Sequence, residues 1–139
     1  MKTITKIEDW HEQRNLVNGS TDPAQFVKAL EELMEVYASI RPKVPPAQLV
    51  GEVKGMLDEL LYKGRIKPEI EYGDGLKDGL GDVVVVLVNI AKRNGHKLED
   101  CIKHSYGEIK NRKGLMKNGV YVKYEDLTED EQKRFKRTD

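Results

Sequence analysis

The sequence predicts an all-α protein, a helical bundle that ends in a short extended segment. Apolar side chains recur at helical spacing over most of the chain, and Gly, Pro, Asn or Asp separates the successive segments. The valine-rich run at residues 83–88 also suits a buried strand, because valine favours β-structure. We expect a helix there, since the run continues to Lys92 before Gly95 stops it, which is longer than a typical strand.

Six helices are expected from this periodicity. Gly19 is expected to end the first helix, and Thr21 or Asp22 to cap the second. Asn118-Gly119 predicts a turn into the extended piece, and Thr128 is a cap for the last helix. The expected helices are residues 3–17, 25–39, 47–62, 78–93, 98–113 and 129–137.

The composition describes a single domain, residues 1–139. The formal net charge of zero argues against direct nucleic-acid binding. No apolar run is long enough for a membrane span, and no signal-peptide pattern opens the chain, so we expect a cytoplasmic protein without membrane contact. The single cysteine and three scattered histidines offer no zinc-ligand spacing.

Two acids open the valine-rich helix. With about 100° per residue, Asp78, Asp82 and Asn89 fall on one stripe, which we expect to point at something buried. Burying unpaired carboxylates costs several kcal/mol per ion, so such a stripe indicates a bound cation. The alternative is that both acids only favour the first helical turn, where the helix dipole stabilises negative charge by about 0.3–1 kcal/mol.

A second acidic pair lies on the helix at residues 25–39. Glu32 and Glu35 share a face because they are three residues apart, with Lys28 close to the same stripe. Alone, this pair is typical of a solvated helix face. Together, the two pairs would supply four carboxylates from two helices, an oxygen-rich site suited to Mg²⁺.

The combined motifs carry a resemblance. E-E-L-M-E at residues 31–35, G-D-V-V-V-V-L-V-N-I-A-K at 81–92 and the tail at 101–123 resemble the MazG-like nucleotide pyrophosphohydrolase superfamily, in its phage-type members. The resemblance implies a MazG-like helical bundle, a homodimer or homotetramer, and hydrolysis of (deoxy)nucleoside triphosphates to monophosphate and pyrophosphate. It also implies Mg²⁺, with Mn²⁺ as a substitute, held by Glu32, Glu35, Asp78 and Asp82.

The chain departs from the family pattern in two places. The family places a glutamate where this chain has Gly79, so we assign that ligand role to Asp78. The acidic motifs are also further apart than in the family, which makes residues 46–75 an insertion. Its helix should pack on the body or on a partner subunit, with its acids expected in solvent: Glu52, Asp58 and Glu59.

The remaining functional assignments concern the substrate. Glu35 is the candidate base that orients or deprotonates the attacking water, and Lys28, Asn89, Lys92 and Arg112 are candidates for phosphate or nucleotide contact. Arg112 with Lys110 and Lys113 equally suits the cation-favouring end of a helix. The implied role is nucleotide-pool sanitation or phage nucleotide metabolism, and the alternative is a catalytically inactive helical interaction module.

Overall fold

The computed structural model describes residues 2–69 and 74–138, with side chains through Arg134. This part is mostly helical, as predicted, and contains six α-helices, a short 3-10 turn and a two-stranded antiparallel sheet. The helices are α1 (Thr3–Gln13), α2 (Asp22–Ile40), α3 (Pro46–Tyr62), α4 (Gly75–Arg93), α5 (Leu98–Ile109) and α6 (Glu129–Thr138), and the strands are β1 (Gly114–Lys117) and β2 (Val120–Lys123).

The valine-rich run lies within α4, which confirms the choice of helix over strand for residues 83–88. The helix begins at Gly75, three residues before the predicted start. No helix in the described ranges is both long enough and apolar enough to cross a membrane.

Helix α2 also begins earlier than predicted, and the backbone N–H of Ala24 donates to Thr21 Oγ1 at 3.2 Å, so Thr21 is the capping side chain.

The first helix ends earlier than the sequence predicted, and Gly19 does not end it. Asn15 adopts the left-handed conformation with φ 56°, and the backbone N–H of Leu16 donates to the carbonyl of His11 at 2.9 Å. This pairing satisfies a carbonyl in the last turn of α1, and asparagine tolerates the conformation because its short polar side chain can hydrogen-bond locally. The helix therefore stops at Gln13.

The extended C-terminal piece is a β-hairpin, of which the sequence predicted the turn and the second strand. Asn118 and Gly119 have φ values of 52° and 80°, the left-handed pair that a tight two-residue hairpin turn requires. Gly114 pairs with Lys123 and Lys117 with Val120. The predicted cap of α6 is confirmed, because Glu131 N–H donates to Thr128 Oγ1 at 3.3 Å and Thr128 N–H donates to Glu131 Oε1 at 3.0 Å.

The chain forms two compact units, and the first comprises Met1–Gln25 and Gly81–Asp139. Trp10 is buried there, and its indole N–H donates to the carbonyl of Ile109 at 2.9 Å. The guanidinium of Arg14 lies 4.5 Å from the Trp10 ring and donates to the carbonyls of Lys110 and Arg112. These long-range bonds take up carbonyls at the end of α5, so this helix stops at Ile109 and not at residue 113.

The second unit is Phe26–Leu80. The Arg41 guanidinium donates to both carboxylate oxygens of Glu52, through Nε at 3.1 Å and a terminal nitrogen at 3.3 Å, which ties the end of α2 to α3. The expectation that Glu52 is solvated was therefore wrong, since its side chain is half-buried in this ion pair. Residues 70–73 of the expected insertion lie outside the described residues, and the single domain stays a prediction.

Candidate metal site

The acidic pair on α2 is the electrostatically most unusual place among the proposed ligands. Glu32 and Glu35 are both exposed, yet the pKa of Glu32 is raised above its usual 4.5. The largest cause is partial desolvation of its carboxyl group, followed by repulsion from Glu35 and a side-chain hydrogen bond with Glu35, while Lys28 acts in the opposite direction. Desolvation and the neighbouring carboxylate both disfavour a negative charge on Glu32, and a cation bound at the pair would offset both effects.

Local helix geometry accounts for this pair. Residues three apart lie on neighbouring positions of the helix surface, and no Gly or Pro interrupts α2 after its first turn. Lys28 lies one turn earlier, but its ammonium group pairs with Glu31 at 2.7 Å. Its charge therefore partly offsets the acidic face, and a phosphate contact would require this exposed ion pair to open.

Helix α4 carries the other two acids one turn apart. Asp78 lies in the first turn, where the helix dipole favours it, whereas Asp82 lies beyond that turn. Both side chains are exposed, as is Asn89 further along the stripe. The expectation of a buried acidic stripe was thus wrong for the isolated chain. Because these carboxylates are not buried, the cost of burying them is no argument for a bound cation here.

The four proposed ligands form two pairs in the described structure. Among residues 2–69 and 74–138, no three Asp, Glu, His or Cys side chains are grouped so that they could hold a metal ion. The α2 pair has the hard oxygen donors that Mg²⁺ prefers, and each helix presents its two acids on one side. A four-carboxylate site stays a prediction.

The proposed phosphate contacts differ in their surroundings. Lys92 is exposed in the last turn of α4, where its charge also suits the helix dipole. Arg112 lies beyond the end of α5. The alternative interpretation, in which Arg112 lies in the last turn of a helix and the helix dipole stabilises its charge, therefore does not apply. Its carbonyl accepts hydrogen bonds from Arg14 and from the Tyr121 hydroxyl at 3.2 Å, which fixes the backbone that carries this half-buried side chain.

An open pocket of about 450 Å³ lies between the end of α1 and the start of α2. Sequence reasoning missed it, because its lining comes from two helices and the segment between them and shares no motif. Hydrogen bonds from Gln25 Nε2 to Ser20 Oγ at 2.9 Å and from Ser20 Oγ to the Gly119 carbonyl at 2.6 Å hold one wall. The lining includes Leu16, Val17, His11, Ser20, Asp22 and Gln25.

Comparison with known proteins finds a similarity to a phage protein. The chain is 32% identical over 91 residues to a protein of Haemophilus phage HP1 (strain HP1c1), described as an uncharacterized 18.2 kDa protein in the rep-hol intergenic region. The matched region covers 66% of this chain and spans 39% of the phage protein's length. No protein-family model and no solved structure matches the chain.

Proposed function

We propose that this protein is a MazG-like nucleotide pyrophosphohydrolase, which hydrolyses (deoxy)nucleoside triphosphates to monophosphate and pyrophosphate with Mg²⁺. The observation that carries the proposal is the placement of Glu32 and Glu35 on one face of α2, where partial desolvation, followed by repulsion from Glu35, raises the pKa of Glu32. Two carboxylates held together on a helix face are suited to a hard cation. The order of the acidic motifs along the chain supports the family, and the similarity to a phage protein supports a phage setting.

The proposed chemistry assigns a task to each side chain. Glu32, Glu35, Asp78 and Asp82 would hold Mg²⁺, which would neutralise triphosphate charge and stabilise the pyrophosphate leaving group. Glu35, where it does not hold the metal directly, would accept the proton from the attacking water, whose oxygen bonds to one of the two phosphorus atoms as the bridge between the α and β phosphates breaks. The cationic and amide side chains bind the substrate's phosphates or sugar and hold the bridge in line for attack: Lys28, Asn89, Lys92 and Arg112.

A second candidate function is a helical interaction module without catalysis. The exposure of both acids on α4 favours it, as does Gly79 at the position where the family pattern has a ligand. In this reading, the acidic faces bind basic surfaces of another protein and need no metal. The two proposals differ in whether the protein binds Mg²⁺ and turns over nucleotides.

The test is a nucleotide panel with product analysis. Purified protein is incubated with each ribo- and deoxyribonucleoside triphosphate over a range of Mg²⁺ concentrations, and pyrophosphate is separated from orthophosphate. We expect monophosphate and pyrophosphate in equal amounts, strict metal dependence, and a loss of at least 100-fold in Asp82→Asn. The control is Asp58→Asn, an exposed acid on α3 outside the proposed ligand set.

Two results would decide against the enzyme. Orthophosphate as the product would exclude cleavage between the α and β phosphates. No turnover of any nucleotide, with no Mg²⁺-dependent rise in melting temperature, would leave the interaction module as the better description.

A further inference from the structure

Three cationic residues meet just beyond the ends of α1 and α5. One terminal nitrogen of the Arg14 guanidinium donates to the carbonyl of Lys110 at 3.3 Å and to that of Arg112 at 3.1 Å, and Nε donates to the Arg112 carbonyl at 3.2 Å. The side chains of Lys110 and Arg112 therefore start from the stretch of backbone that Arg14 holds. We call Arg14, Lys110 and Arg112 the cationic cluster; all three belong to the first unit.

Among the residues whose side chains are described, no carboxylate pairs with the cationic cluster. The side chains of Lys110 and Arg112 make no hydrogen bond or ion pair in that part of the chain, and the partners of Arg14 are carbonyls and the Trp10 ring. Residues 109–124 contain no Asp or Glu. The cluster thus brings three positive charges together without an acid to neutralise them.

The end of α5 offsets only a small part of this charge. The unpaired carbonyls in the last turn of a helix act like about −0.5 of an elementary charge. Three cations therefore leave an excess of roughly 2.5 positive charges around this helix end. Like charges that are held close together raise the free energy of the protein, and an anion that binds among them relieves the repulsion.

We propose that the cationic cluster binds a phosphate group of a small molecule or free anion, and that it does so without a metal ion. A phosphate carries about −1.5 to −2 charges at neutral pH, which matches the excess better than the single charge of a carboxylate. A guanidinium group also donates two parallel hydrogen bonds to phosphate oxygens. Of the three residues, Arg112 is the one already proposed as a substrate contact, and the anion site itself does not rest on the proposed function.

The surroundings of Arg14 prepare it for this role. Its guanidinium lies 4.5 Å from the Trp10 ring, and the hydrogen bonds to the two carbonyls fix its plane. The second terminal nitrogen makes no hydrogen bond within the described side chains. Its N–H groups are therefore available to an anion, and because the plane is already fixed, binding immobilises fewer side chains.

The test is calorimetric titration of the whole protein with inorganic triphosphate, in EDTA at low salt. Arg112→Gln and Lys110→Gln should each weaken binding about tenfold, the order expected when a charge-assisted hydrogen bond is lost. The matched control, Arg93→Gln, removes an exposed arginine from the last turn of α4 and should leave the affinity unchanged. Without the anion, Arg112→Gln should melt at the wild-type temperature or above, because the substitution relieves repulsion.

The source of the phosphate group is a separate measurement with a matched pair of ligands. Deoxyadenosine triphosphate and inorganic triphosphate have the same number of phosphates. If the cluster holds the phosphate chain of a nucleotide, a step that rests on the proposed function, the nucleotide should bind the metal-free protein about tenfold tighter or more. A smaller difference identifies a site for the free anion. Either result supports the site.

Other results would overturn the proposal. No binding of inorganic triphosphate in EDTA, or wild-type affinity in both Arg112→Gln and Lys110→Gln, would remove the anion site. Equal affinity for acetate would contradict the match to phosphate, and a single-stranded oligonucleotide that binds about 100-fold tighter than inorganic triphosphate would make the cluster a nucleic-acid surface instead. Asp82→Asn should bind the anion as the wild type does. A protein that binds the anion but turns over no nucleotide would therefore exclude the enzyme and retain the site.

Discussion

Replacing Glu35 by glutamine tests the acidic pair of α2 most directly. The substitution keeps the size of the side chain and removes the charge that repels Glu32, so the pKa of Glu32 should fall toward 4.5. Because the raised pKa of Glu32 in the native protein lowers stability as the pH rises through that pKa, metal-free Glu35→Gln should lose less stability over the same interval.

The magnitude follows from the exposure of both carboxylates. Two like charges about 4 Å apart in water repel by roughly 1 kcal/mol, and solvent screening reduces this further for exposed groups. We therefore expect metal-free Glu35→Gln to be as stable as the wild type or more stable by up to about 1 kcal/mol at neutral pH. In contrast, a wild-type metal site should gain about 2.7 kcal/mol at an Mg²⁺ concentration of 100 times Kd, and the variant should lose most of this gain.

The assay combines two measurements. Carboxyl NMR titration follows the pKa of Glu32, and thermal melts with and without Mg²⁺ report the free energy of metal binding. Glu12→Gln, an exposed acid on α1, is the control and should change neither quantity at the pair. An unchanged Glu32 pKa in Glu35→Gln would refute the electrostatic reasoning, and full Mg²⁺ stabilisation of the variant would remove Glu35 from the ligand set.

Three further predictions concern other parts of the chain. If Asp78 is a ligand, Asp78→Asn should reduce both nucleotide turnover and the stabilisation by Mg²⁺. If Asp78 only interacts with the helix dipole, the variant should keep full turnover and lose about 0.3–1 kcal/mol of stability without metal. Trp10→Phe should lower the free energy of unfolding by about 0.5–1.5 kcal/mol through loss of the bond to the Ile109 carbonyl, and Trp10→Ala by about 3–5 kcal/mol; urea unfolding measures both. Hydrogen bonds from the Thr128 backbone and hydroxyl, with a smaller effect of Lys117, lower the pKa of Glu131 to about 2. The charged Glu131 carboxylate therefore stabilises the fold above its ordinary pKa near 4.5, and this stabilisation is lost as the pH falls toward about 2. Glu131→Gln should abolish this pH dependence of stability in unfolding curves measured between about pH 2 and 6.

Local sequence determined the helices, their approximate centres and the acidic pair on α2. Backbone hydrogen bonds in a helix join residues four apart, and the valine run continues without interruption to Lys92, so the length of the run favoured a helix over a strand for residues 83–88. Glu32 and Glu35 are neighbours for the same reason, since three residues of helix bring them to one face. The Asn118-Gly119 turn and the Thr128 cap likewise depend on side chains within a few residues.

Long-range contacts decided what the periodicity could not show. Helix α5 ends where Trp10 and Arg14, about a hundred residues away in sequence, take up its terminal carbonyls, and Glu52 is paired because the fold brings Arg41 to it. The pocket beside α1 and the exposure of Asp78 and Asp82 also arise only from the tertiary structure. A helical pattern states which residues share a face, but burial depends on what packs against that face, and no local hydrogen-bond rule contains that information.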